Sequence, residues 1–171
     1  FPESALPAGE YKVVANIPYY ITTPLIRKFI EAKNQPTSII LMIQKEVAKR
    51  ICEKPPRMNL LAVSVQFYGE PKIISYVSKN SFWPSPTIDS AIIKITPQLS
   101  YRSPAFVKKF FDIVKGGFSQ PRKQLINNLS KVLKLKREQT EKWLLYNKIN
   151  PTQRAETLNI DDWKNLTKNL P

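Results

Sequence analysis

Histidine is absent from all 171 residues, cysteine occurs once, at Cys52, and glycine only at Gly9, Gly69, Gly116 and Gly117. Without an imidazole the chain cannot build a Ser-His-Asp or Cys-His nucleophile, a zinc deaminase centre or an HExxH metalloprotease, each of which needs it as base or ligand. One thiol permits neither an internal disulfide nor a cysteine cluster for zinc. It fits a reducing, cytoplasmic compartment and reads as a small residue on an amphipathic helix. No metal is expected. Cofactor-binding α/β sheets open with a strand, a glycine-rich turn and a helix, because only glycine lets backbone N–H groups approach the ligand closely. None of the four glycines makes such a turn. No apolar run approaches the ~20 residues that cross a bilayer, and no basic, apolar and small-residue leader opens the chain. No membrane association is therefore expected. The first residue is Phe1 rather than methionine, which suggests truncation, processing or design.

What the chain does contain is positive charge. Lys and Arg number 27 against 13 Asp and Glu, a net +14. Residues 1–97 carry +5 and residues 98–171 carry +9, and from Lys115 to Arg137 seven basic residues occur with no acidic one. A solvated helix face mixes both signs, so an unbroken positive segment points to a polyanion, nucleic acid ahead of a membrane surface. With 42% apolar residues a packed core is within reach.

The periodicities predict an α/β region. YKVVA (11–15) reads as a buried strand, and Thr23 with Pro24 as N-cap and first residue of a helix carrying Leu25, Ile26, Phe29 and Ile30. SIILMI (38–43) reads as a strand covered on both faces, followed by the helix QKEVAKRICEK, which Pro55 and Pro56 break. Residues 58–69 are expected to be helical, since a strand there would leave the next one without a crossover. PKIISYVS (71–78) and SAIIKIT (90–96) are expected as strands around the proline-rich loop FWPSPTID. Beyond Pro97 only helices are expected. Ser103-Pro104 opens one that ends at Gly116-Gly117, Ser119–Pro121 opens a second, a shorter one passes through Trp143–Leu145, and a last one runs near Asp161–Lys168. The expected organisation is the second half of a doubly wound sheet over 1–97 and a small helical domain, basic enough to bind nucleic acid, over 98–171.

The turn after the first strand, NIPYYITTP, contains no glycine, although ordinary turn chemistry would use one. It places an amide, a proline that could take either peptide isomer and two tyrosines at the mouth of a strand. This turn resembles the target-base motif of the rRNA adenine N6,N6-dimethyltransferases of the KsgA type. Four further stretches resemble that family's motifs in the same order: QKEVAKRI (44–51), FWPSPTIDSA (82–91), FSQPRKQLINNL (118–129) and RAETL (154–158). The resemblance implies the second half of a Rossmann-like methyltransferase sheet followed by a helical domain. It also implies S-adenosylmethionine as cofactor, with the main cofactor loop outside this chain, and small-subunit (16S) rRNA in a 30S precursor as substrate. The chain alone is then expected to be inactive, and monomeric.

The chemistry can be stated residue by residue. Adenine N6 is a poor nucleophile because its lone pair is delocalised into the ring. If the Asn16 side-chain oxygen and the Ile17 carbonyl accept the two N6–H bonds, the nitrogen is held with its lone pair aimed at an electrophilic methyl. Pro18 donates no hydrogen bond and fixes the chain so that this carbonyl faces the pocket. Asn16 and Pro18 are also the residues expected to border the cofactor. Tyr19 and Phe82 are the candidate stacking faces, each base–ring contact being worth ~1–3 kcal/mol against the few kcal/mol of unstacking. Tyr20 reads as structural. Asp89 and Ser90 are expected to fix the FWPSP loop by local side-chain to backbone bonds, and Glu46, which could serve as a general base, is read instead as a solvated residue or a partner of Lys49 or Arg50. Arg122 and Lys123, read at a helix start where cations oppose the macrodipole, are candidate phosphate contacts with Lys115, Lys131 and Lys134. Pro121 stands where the family usually has arginine. Two rival readings share parts of this pattern. One is the large-subunit rRNA methyltransferase of the resistance type, which shares NIPY, although Asp89-Ser90-Ala91 and RAE favour the small-subunit branch. The other is a non-enzymatic rRNA-binding assembly factor.

Overall fold

The computed structural model describes residues 6–98 and 103–171. Two compact units result. The first takes the described residues up to Cys52 and from Val65 to 98, and the second takes Glu53–Ser64 with the described residues from 103 onward. The boundary drawn at Pro97 is therefore not the only one, because the proline-broken stretch after Cys52 belongs with the helical unit. Its backbone explains why: the Met58 N–H donates to the Glu156 carbonyl at 2.9 Å.

The first unit is a four-stranded sheet of order β1-β2-β4-β3, with β1 Lys12–Asn16, β2 Ser38–Gln44, β3 Gly69–Val77 and β4 Ser90–Pro97. β1 and β2 run parallel, joined through helix α1 (Thr22–Glu31). β4 is antiparallel to both β2 and β3, a reversed strand inserted between them, and β3 forms the edge. Branched residues on the central strands fill the interior: Ile39, Leu41, Ile43, Ala91, Ile93 and Ile95 are all fully buried, each large one worth about 1.5–3 kcal/mol on leaving water. Helix α2 (Lys45–Ile51) lies against β2, β3 and β4. Helix α3 (Leu60–Tyr68) contributes buried Val65 and Phe67 to this unit.

Helix α1 starts one residue before the expected cap. Thr22 opens it, Ile21 precedes it without a side-chain cap, and Tyr19–Ile21 form a short 3-10 turn. Pro24 is the third helical residue, where its missing N–H is still one of the four that lack an intrahelical partner, so proline is tolerated there too.

The second unit comprises α4 (Pro104–Gly117), α5 (Leu125–Leu133), α6 (Arg137–Tyr146) and α7 (Ile160–Lys168). Ser103 caps α4 as expected, its Oγ accepting from the Phe106 N–H at 3.2 Å. Gly116 and Gly117 do close α4, but no glycine has positive φ. They are needed for close packing: a Cβ on Gly117 would run into the buried Trp163 ring, and one on Gly116 would lie 3.2 Å from Val132 Cγ1. The left-handed positions fall instead on Lys134, after α5, and on Lys148. Helix α5 begins at Leu125, four residues after the expected start at Pro121, and α6 is longer than expected. No helix among the described residues is long and apolar enough to cross a membrane.

Candidate active site

The end of β1 and the loop before β4 meet in an open cleft of about 410 Å³. Asn16, Ile17, Pro18 and Tyr19 line it from the strand end, and Phe82, Trp83, Pro84 and Pro86 from the loop. All five residues proposed for the target base are thus brought to one cavity. Asn16, the last residue of β1, is exposed and its carboxamide has no hydrogen-bond partner among the described residues. Ile17 alternates inward and is buried, which anchors the turn. Pro18, at φ −57° and ψ 134°, carries the chain into the 3-10 turn, and its carbonyl accepts from the Ile21 N–H at 3.2 Å. The cis peptide bonds among the described residues precede Pro56 and Pro84, not Pro18.

Tyr19 is half-buried and fixed at its far end. Its hydroxyl lies 2.8 Å from Ser90 Oγ, and Ser90 is fully buried at the start of β4. Asp89 holds the loop from the other side. Its carboxylate accepts from Lys45 Nζ at 3.0 Å and from the Lys79 N–H at 3.2 Å, while its carbonyl accepts from the Lys45 N–H at 3.1 Å. Ser85 Oγ donates to the Lys79 carbonyl at 2.9 Å. The loop support is therefore only partly local: Ser90 reaches back to residue 19 and Asp89 to residue 45. The Lys45 hydrogen bond, followed by that from the Lys79 N–H, holds the Asp89 carboxyl below its ordinary value. The same bond to Asp89 raises the Lys45 ammonium, which also sits 5.6 Å from the Tyr76 ring centroid.

Tyr20 serves neither core nor cleft, being 84% exposed. Glu46 pairs with Lys49 at 3.2 Å on the α2 surface. Trp83 and Lys45 lie in conspicuous stretches, yet nothing in the sequence singles them out, and nothing there joins Ser90 to Tyr19. A distance between residues 19 and 90 leaves no trace in spacing.

In the helical unit Lys115, Arg122, Lys123, Lys131 and Lys134 are all exposed, and none forms an ion pair among the described residues. Arg122 and Lys123 lie on the turn before α5 rather than in its first helical turn. The opposition to the macrodipole is correspondingly relaxed. The Leu125 and Ile126 N–H groups donate to the Gln153 and Pro151 carbonyls at 2.8 and 3.2 Å, so they are not open to an anion. Asn128, 3% exposed, holds the turn from beneath, its amide donating to the Gly117 carbonyl at 2.7 Å and the Gln120 carbonyl at 3.0 Å. Lys115 and Lys131 occupy the last turns of α4 and α5, where cations are favourable to the helix itself. Arg154 and Glu156 pair with each other at 3.7 Å within this unit.

An unpartnered amide at a strand end, in a cleft that aromatic side chains also line, suits a flat base carrying an exocyclic amine. The family model for ribosomal RNA adenine dimethylase matches residues 2–170, and the chain belongs to that family. It is 44% identical over 157 residues to a ribosomal RNA small subunit methyltransferase A of Dehalococcoides mccartyi, covering 91% of this chain and 54% of that protein. With a counterpart named alike in Bacillus licheniformis it shares 39% over 170 residues, 94% of this chain and 57% of that protein. The chain thus spans about half the length of these curated relatives. Its fold is similar to the 23S rRNA methyltransferase ErmE (TM-score 0.76, 22% identity, 98% of this chain and 68% of that one). It is also similar to a Plasmodium falciparum dimethyladenosine transferase (TM-score 0.74, 24% identity, 96% and 69%).

Proposed function

We propose that the protein carrying this chain transfers two methyl groups from S-adenosylmethionine to N6 of adenines in small-subunit rRNA, in the cytoplasm and as a monomer. The observation that carries this reading is the Asn16 carboxamide, unpartnered in a cleft flanked by Tyr19 and Phe82, in a member of the rRNA adenine dimethylase family. Asn16 Oδ1 and the Ile17 carbonyl accept from the adenine amine and remove its freedom to rotate, which is the entropic part of the barrier. Tyr19 and Phe82 offset the unstacking of the base. The Tyr19–Ser90 bond and the Asp89 clamp hold Tyr19 and the loop that carries Phe82 before the base arrives, so ordering them costs little on binding.

S-adenosylmethionine supplies the electrophilic methyl when bound. The residues present fit the adenine side of that transfer and only a border of the cofactor side. Asn16 and Pro18 would flank it, but no glycine of this chain lines the cleft. After transfer the amine is cationic and releases its proton to water through the open mouth, so no imidazole is required. The basic surface of the helical unit supports RNA phosphates in this reading, with Arg122 and Lys123 foremost.

Replacing Asn16 with Ala in a chain of the relatives' full length tests the proposal. Methyl incorporation into small-subunit rRNA falls steeply while RNA affinity falls by no more than about 10-fold, the worth of one net hydrogen bond. Equal methylation by the variant would favour a binding factor, and mapping the modified adenines to large-subunit rRNA would favour the resistance-type enzyme.

A further inference from the structure

Trp83 is 98% exposed, the most exposed of the large apolar side chains described, and it lines the same cleft as Asn16 and Tyr19. Its indole makes no hydrogen bond or ring contact among the described residues. An exposed tryptophan on a floppy loop would mean little, but this loop is supported at several points. Asp89 bonds the Lys79 N–H and Lys45, Ser85 bonds the Lys79 carbonyl, and Ser90 bonds Tyr19. The indole is therefore presented by a braced segment with nothing among the described residues to cover it.

Phe82 is half-buried and Trp83 is 98% exposed, so the indole offers a ring face beyond the one that Phe82 supplies. We propose that Trp83 is a stacking platform for a second nucleobase, the one next to the target adenine in the RNA strand. This rests on the proposed function for Asn16, Tyr19 and Phe82 and extends it to a neighbouring subsite. A base whose neighbour has been extruded has lost one stacking partner and gains from a new aromatic face, and every base has such a face, so the site tolerates any sequence. Lys79 on the same braced loop is exposed with no ion pair among the described residues, a cation suited to the phosphate of that nucleotide. A protein surface is the competing occupant for an exposed indole, and the experiment separates the two.

The test uses the 171-residue chain and short single-stranded RNAs containing one adenine. Three are compared: one intact, one abasic immediately 5′ of the adenine and one abasic immediately 3′. The other two tryptophans, Trp143 and Trp163, are buried, so quenching of the accessible indole emission reports on Trp83. The intact RNA quenches it. W83A weakens binding about 5- to 100-fold, the range of one base–aromatic stack, and W83F restores most of the loss. Removing the correct neighbouring base weakens the native chain by a similar factor and leaves W83A unaffected, which also says on which side the stacked base lies. If W83A binds the intact RNA as tightly as the native chain, or loses the same factor with both abasic RNAs as with the intact one, the stacking site is refuted and a protein contact is left. Failure of the underlying reading looks different: Asn16→Ala in the longer protein would leave methylation intact whatever the indole does.

Discussion

The two units handle their polar groups in opposite ways. In the α/β unit the groups around the cleft are tied down: Tyr19 to Ser90, Asp89 to Lys45 and Lys79, Ser85 to Lys79. The Asn16 amide is left open. In the helical unit the apolar interior, with Trp163 against Gly117 and Phe118, supports a surface whose cations stay unpaired at the five positions named above. Short-range geometry can select one atom of one base. Long-range charge cannot, but it supplies affinity that does not depend on sequence. The first unit should therefore control which nitrogen reacts, and the second supply the salt-dependent share of RNA affinity.

The largest effect that could break this division is on the chemistry. Asn16→Ala in the full-length protein should lower the methyl-transfer rate by at least about 100-fold, as expected when a reacting group loses its positioning. RNA affinity should fall by only about 3- to 10-fold, the worth of one net hydrogen bond, with its salt dependence unchanged. An affinity that fell as far as the rate would mean that Asn16 acts by grip and not by positioning.

Next comes the packing beneath the charged surface. Gly117→Ala places a methyl against the Trp163 ring, 3.0 Å from Cζ3 and closer still to Cη2, and both elements are rigid. The helical unit should lose about 1–3 kcal/mol, the usual cost of overpacking, measured by urea unfolding. An unchanged midpoint would mean that α4 and α7 can slide apart freely.

Smaller again is the contribution of individual cations. Arg122→Ala with Lys123→Ala should reduce the slope of log affinity against log salt by about 0.7–0.9 for each phosphate that is no longer neutralised, and leave the rate at saturating RNA unchanged. A rate that falls with the slope intact would move these residues from grip to positioning.

The smallest effect concerns the loop clamp. Asp89 titrates below its ordinary value in the folded chain, so its contribution is present above the unfolded-state value and is lost as pH falls through the lowered folded one. Lys45 titrates above its ordinary value, so its share is complete below that value and is lost only as pH rises through the raised one. The stability difference between native protein and Asp89→Asn should be constant through neutral pH and shrink below about pH 4. A difference that instead vanished near pH 7 would rule out the Asp89–Lys45 bond as its source.

These contrasts also explain how much of the molecule is legible in its sequence. The strand–helix–strand order follows from branched apolar runs such as SIILMI, and the change to helices beyond Pro97 from period and cap residues such as Ser103-Pro104. The NIPY turn is conspicuous because it does without glycine. Three features are not legible for a common reason, which is that they depend on contacts distant in sequence. The turn before α5 is held by Asn128 reaching back to Gly117 and Gln120, so Pro121 misleads about the helix start. Residues 53–64 join the helical unit through packing that no composition change announces. Trp83 reads the same whether an indole is buried or bare, and only the braced loop shows that it is bare.

The most direct test of the central claim is a double-mutant cycle on the exocyclic amine. The affinities of the native chain and of Asn16→Ala would be measured for RNA carrying adenine and for the same RNA carrying purine, which lacks N6. The native chain should prefer adenine by about 3- to 10-fold, the worth of one net hydrogen bond, and Asn16→Ala should lose that preference. Equal affinity of the native chain for both RNAs would contradict the claim that Asn16 grips the amine.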